Sequence, residues 1–218
     1  MIPLELLSDF EASKQQLMTA SAKWQLIEQL FAKTTARSQL LMRIGSGFFA
    51  LIKDSLVTDV MISLGRLLDK PHHNGNHNLT LERLMNTVIR LGNIELAQKL
   101  EVHLKNAREA EIAARRYRNK RLAHNDLKTI LDQEANPLPA ATVGDIRKML
   151  HEAGEFLNLI DLHFCRSTTA FGFTMIDGDA NSLVRLARDG LLFRQNEINV
   201  KRAEAGMDPV DWSIPDDA

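Results

Sequence analysis

The chain has 218 residues, 44% of them hydrophobic, which is enough for one substantial core and requires no second domain. A formal net charge of -1 excludes a generally basic surface, so any strongly positive patch is local. The single cysteine, Cys165, excludes an internal disulfide and fits a reducing compartment, while Glu5, Asp9 and Glu11 interrupt the N-terminal apolar pattern and no apolar run approaches a membrane span. The expectation is a cytoplasmic, soluble protein: a single helical domain over residues 1–205 and an irregular C-terminal tail over 206–218.

In chain order the periodicity is helical. Leu6, Phe10, Leu17, Trp24, Ile27, Leu30 and Phe31 recur at helical spacing and predict a first helix from just after Pro3 to about residue 34. Leu41, Ile44, Phe48, Ile52, Leu56, Val60, Leu64 and Leu67 then step by three or four, predicting one core helix that ends before Pro71. A polar loop over 69–78 follows, and a short helix starts at Leu79 or Thr80 and stops near Gly92. A fourth helix is predicted from 93 to about 133, broken by Asn136-Pro137-Leu138-Pro139.

Thr142 with Asp145 three residues on has the form of a capping box, so a fifth helix starts there, with Ile146, Leu150, Ala153, Leu157, Ile160 and Phe164 on one face. Residues 171–176 read as a short extended segment turning at Asp177-Gly178, and 181–200 as one more helix. From Gly206 the tail has no period. The fold class is all-α. Leu56, Val60, Leu64, Leu104, Ile146, Leu150 and Leu157 are expected to be buried.

The fourth helix carries the chemistry. Residues 115–126 read Arg-Arg-Tyr-Arg-Asn-Lys-Arg-Leu-Ala-His-Asn-Asp, with five basic residues among the seven from Arg115 to Arg121. Positive charge so concentrated favours a phosphate-bearing partner. His124 is the nearby side chain whose ordinary pKa lets it both give and take a proton near neutral pH. On an ideal helix Arg118 and His124 stand about 120° apart and roughly 9 Å along the axis, so one straight helix presents them poorly to one phosphate. Two copies meeting about a two-fold axis would bring them together, and a kink would also do so.

Arg118-Asn119, four residues, then His124 resembles the Arg-polar-x(3–5)-His signature of the HEPN superfamily, helical proteins many of which cut RNA without a metal. The continuation Leu122-Ala123-His124-Asn125-Asp126 resembles the abortive-infection branch. Ser63-Leu64-Gly65-Arg66-Leu67-Leu68-Asp69-Lys70 and Thr142-Val143-Gly144-Asp145-Ile146 are weaker matches on either side, and the resemblance covers roughly residues 55 to 160. The resemblance implies a HEPN-type helical bundle, a homodimer with a composite site, and a metal-independent endoribonuclease in a phage-defence or toxin role. A possible antitoxin partner belongs to that implication. Arg118, Asn119 and His124 would be catalytic: His124 exchanging the proton of the 2′-hydroxyl or the leaving oxygen, Arg118 holding non-bridging phosphate oxygens, Asn119 orienting either. Arg115, Arg116, Lys120 and Arg121 would follow the RNA backbone, and Tyr117 would stack on an unpaired base. No cofactor is implied.

Other readings stand beside this one. A basic run on a long helix is commonly a solvated face, and Glu109 and Glu111 lie close enough upstream to pair with Arg115 and Arg116. His124 could be a packed histidine, and the same helix could serve a non-catalytic dimeric module that binds RNA or protein. His72, His73 and His77 lie in a flexible Asn/Gly context that argues against a zinc or nickel site. Asp177 and Asp179 around Gly178 lack the distal glutamate of a calcium loop, and Gly45-Ser46-Gly47 lacks the lysine of a phosphate loop. Cys165 is expected to pack in an apolar pattern.

Overall fold

A computed structural model describes residues 1–73, 75–117, 142–173 and 178–214. Six helices account for most of them: α1 (Leu4–Phe31), α2 (Thr35–Leu68), α3 (Leu81–Arg90), α4 (Ile94–Tyr117), α5 (Val143–Cys165) and α6 (Ala180–Glu204). Their bounds follow the apolar spacing and local capping. Thr80 accepts a hydrogen bond from the Arg83 backbone N–H at 3.2 Å and starts α3. Thr142 and Asp145 form the reciprocal box at α5, with Thr142 Oγ1 accepting from the Asp145 N–H at 3.1 Å and Asp145 Oδ2 from the Thr142 N–H at 2.9 Å.

Hydrogen bonds from Thr142, the backbone one first, hold the Asp145 carboxyl below its ordinary pKa. A depressed carboxyl contributes stability above its unfolded pKa and loses it as pH falls through the folded one, so the cap is intact at neutral pH and weakens in acid. Thr142→Ala is expected to cost about 1 kcal/mol in denaturant melts at neutral pH, the usual value of an N-cap hydroxyl.

The contacts divide the chain into two compact units, residues 1–23 with 58–174 and residues 24–57 with 175–218. In the first, α4 lies along α5 and α3 packs on α4. Leu6, Phe10 and Leu17 of α1, Val60, Leu64 and Leu67 of α2, and Phe156, Leu157 and Ile160 of α5 are fully buried. Leu104, Ile146 and Leu150 join them, whereas Leu56, expected in the core, is only half-buried. Charged clips tie the helices at the margin of this core: Arg83 Nε to Asp9 Oδ2 and Lys14 Nζ to the buried Asp161 Oδ2, both at 2.6 Å. The Gln16 amide donates to the Ser63 carbonyl at 3.0 Å. The 69–78 segment is not a bare loop. His72–His73 pairs antiparallel with Asn76–His77, and Gly75 at φ 80° takes a left-handed turn position that glycine adopts without a steric penalty.

The second unit closes on Leu30, Leu40, Leu41, Phe49, Ala180 and Val184, with Leu26, Phe31, Leu191 and Ile214 half-buried around them. Here the expected stripe on α2 fails. Gly45 leaves helical geometry (φ -178°, ψ 75°), which rephases the helix beyond it, so Phe48 faces solvent and Phe49 turns inward; Ile44, next to the break, is exposed as well. Arg37, 5% exposed, donates to the Gln29 carbonyl and to Asn181 Oδ1, joining the end of α1, the start of α2 and the start of α6. Asp179 caps α6 through the Ser182 N–H at 3.1 Å and takes amide donors from Asn181 and Gln29, so it is a helix cap. The described part of the tail, residues 206–214, is irregular, as expected, yet bonded to α6: Asn199 brackets the backbone of Val210, and the Trp212 N–H donates to Gln195 Oε1 at 2.9 Å.

Cys165 is exposed, contrary to expectation. It is the last residue of α5, past the buried face that ends at Ile160 and Asp161.

Candidate functional site

The basic run begins on the last turn of α4. Arg115 Nη2 and Nε both donate to Glu111 Oε2, at 2.6 and 3.1 Å, one helical turn back. Asp69 Oδ1 stands 3.7 Å from the same Nη2. The hydrogen bond to Glu111 is the main cause that raises the Arg115 pKa, against a lesser burial effect. This is the local pairing that the spacing of Glu111 and Arg115 allows. The Arg115 side chain keeps 41% of its surface exposed, whereas that of Glu111 keeps 3%. Arg116 and Tyr117 continue the helical backbone, and nothing further is described of their side chains. Arg118, Asn119, Lys120, Arg121 and His124 lie outside the described residues.

The placement of α4 before that point is set by its side-chain partners. Two turns upstream, Arg108 donates from Nε to the Leu68 carbonyl at 3.0 Å and from Nη2 to the Asp69 carbonyl at 3.3 Å, and pairs with Glu82. A guanidinium at the C-terminal carbonyls of α2 satisfies acceptors the helix cannot and complements the negative end of its dipole. Arg108 and Arg115 therefore fasten one face of α4 to the end of α2, with Asp69 between them. On another face His103 Nδ1 meets Glu152 Oε2 of α5 at 2.8 Å, and the Asn106 amide donates to the same oxygen at 3.4 Å. These clips fix the axis and rotation of the helix from which the basic run emerges.

Sequence reading missed Arg108, Glu82, His103 and Glu152. Each acts through a partner 26 to 49 positions away, which periodicity cannot reveal.

An open groove of about 580 Å³ runs along α3 and α4, lined by Glu82, Met85, Glu101, Leu104, Lys105, Arg108, Glu109 and Ile112. Its polar lining is three carboxylates, Glu82, Glu101 and Glu109, and two cations, Lys105 and Arg108. The rings of His72 and His77 lie 4.7 Å apart across the hairpin, and among the described residues no three His, Cys, Asp or Glu side chains gather as metal ligands. Among the same residues no helix is long and apolar enough to cross a membrane.

No curated protein and no solved structure matches the chain. A sequence model of HEPN proteins, described as AbiU2, matches residues 4–182. The match starts with the first residue of α1, ends in the first turn of α6, and takes in the basic run together with the two segments that flank it. The chain belongs to the AbiU2 family, an abortive-infection branch of the HEPN superfamily.

Proposed function

We propose that this protein is a metal-independent endoribonuclease of an abortive-infection or toxin type, acting as a homodimer in the cytoplasm, with an antitoxin-like protein as its restraining partner. The observation that carries the proposal is the Arg118-Asn119-x(4)-His124 signature within a chain that the AbiU2 model matches over residues 4–182. Residues 115–126 hold one histidine, five cations and a single carboxylate, Asp126, a set suited to proton transfer and phosphate binding and too poor in ligands for a metal cage. His124 moves the proton, Arg118 stabilises the charged transition state and Asn119 orients the phosphate. Arg116, Lys120 and Arg121 follow the backbone, Tyr117 stacks on a base, and Arg115 contributes through its exposed edge while Glu111 holds it in place.

The second reading is a non-catalytic dimeric module that binds RNA or protein through the same helix. The Glu111–Arg115 pair bears on both readings alike, since it partly neutralises one cation of the run, and salt-dependent RNA binding without turnover would select the second.

A mixing experiment tests the composite site. With Arg118 and His124 contributed by different chains, Arg118→Ala and His124→Ala are each inactive alone, but mixed heterodimers regain one intact site. Cleavage restored to roughly a quarter of the wild-type rate is expected, because random pairing makes half the dimers mixed and each mixed dimer has one of two sites. No recovery after verified subunit exchange rejects the composite arrangement.

A further inference from the structure

One face of α6 is turned inward through Ala180, Val184 and Leu191. On the opposite face Leu186, Phe193 and Val200 follow one another at intervals of seven and remain 71%, 65% and 59% exposed. A seven-residue repeat drifts only about 20° per step on an α-helix, so the three form one nearly straight apolar line. Leu183, 48% exposed, extends its start. Scattered apolar residues on a surface need no explanation, but an aligned row on the outside of a 25-residue helix does.

We propose that this face binds the same face of a second copy of the chain, the two α6 helices antiparallel about a two-fold axis at Phe193. The row is its own complement: Leu186 and Val200 are equally distant from Phe193, so the two-fold sets Phe193 against its counterpart and each Leu186 against Val200 of the second copy. A self-complementary patch is what an isologous dimer requires, and an unrelated partner would impose no such symmetry. The flanks agree. Arg194 and Glu197 border the row on one side, Asp189 and Asn196 on the other, and all four are exposed. Because the two-fold keeps like flanks together, Arg194 of one chain comes within reach of Glu197 of the second, and the Asp189 carboxylate within reach of the Asn196 amide. Gly190, where a Cβ would meet nothing within 4 Å, leaves room beside Phe193 for the second ring. The exposed parts of the four apolar side chains amount to roughly 400–500 Å², more than half of the ~800 Å² that each partner of a stable interface buries, and the polar flanks would have to supply the rest.

This contact uses a different helix from the RNA-binding run and does not require that run to be active.

Light scattering of the full chain at micromolar concentration, wild type against Phe193→Glu, tests the proposal. Phe193 lies outside the core, so the variant should keep the wild-type helical content and melt cooperatively, lower only by the stabilisation that association gives, and its particle mass is expected to be half. Equal masses, or a monomeric wild type, overturn the proposal. Orientation is read from Leu186→Cys with Val200→Cys in a Cys165→Ser background, treated with oxidised glutathione. The double variant is expected to form an intermolecular disulfide as two thiols are oxidised and glutathione is reduced. Cross-linking as efficient with Leu186→Cys alone would place the helices parallel and overturn the arrangement. RNA cleavage assayed alongside reads the catalytic proposal separately: mass halving without cleavage by either protein leaves the α6 contact standing and removes the nuclease.

Discussion

Replacing His124 by alanine is expected to slow RNA cleavage by roughly 10²–10⁴-fold, the usual share of a positioned acid–base group. Arg118→Ala should lose a comparable amount, because a guanidinium placed where phosphate charge builds contributes chiefly in the transition state. Both variants should still bind RNA, since the remaining cations of the run supply most of the backbone attraction. Lys120→Ala should behave differently: weaker binding, a shallower dependence of affinity on salt, and turnover of bound RNA nearly intact. Single-turnover rates at saturating protein separate the two effects. Full activity in His124→Ala would remove the proposed acid–base role.

The second large effect is on stability. Phe156 on α5 is completely buried in the first unit, and Phe156→Ala should cost about 3–5 kcal/mol through lost transfer energy and the cavity left behind. The urea midpoint should fall with little change in slope. Phe48 gives the contrast. It belongs to the apolar spacing of α2 yet is 61% exposed, so Phe48→Ala should stay within about 0.5 kcal/mol of wild type. A Phe48→Ala loss as large as that of Phe156→Ala would mean that the α2 stripe is continuous through Gly45.

Much of the fold could be read from residue spacing because burial in helices repeats locally. Leu6, Phe10 and Leu17, or Leu157 and Ile160, announce their faces by steps of three, four and seven, and Thr142 with Asp145 announces a helix start. What could not be read depends on neighbours distant in sequence or on a single backbone break. Gly45 ends the regular phase of α2 although the apolar residues continue past it, so Phe48 is on the wrong side of a sequence-based stripe and Phe49 takes its place. The hairpin at His72–His77 has only two residues per strand, too few to show an alternation. The tail has no period, and its order comes from Asn199 and Gln195 bonding its backbone, which composition cannot foretell.

The candidate site was legible as a family signature and a charge cluster, not as geometry. Arg118 and His124 are named by spacing alone, whereas the supports of α4, Arg108 on the end of α2 and His103 on Glu152, emerge only from the packed structure. The partner that neutralises Arg115 is the exception. Glu111, four residues upstream, was visible in the sequence as a competing use of that cation.

Metal-independent cleavage is tested most directly by the end chemistry of RNA incubated with the purified wild-type protein in EDTA. If His124 and Arg118 carry the reaction, the 2′-oxygen is the nucleophile, and the products carry a 2′,3′-cyclic phosphate and a 5′-hydroxyl. DNA of the same sequence is untouched, having no 2′-hydroxyl. Cleavage that EDTA abolishes, or products with 5′-phosphate ends, would contradict the account.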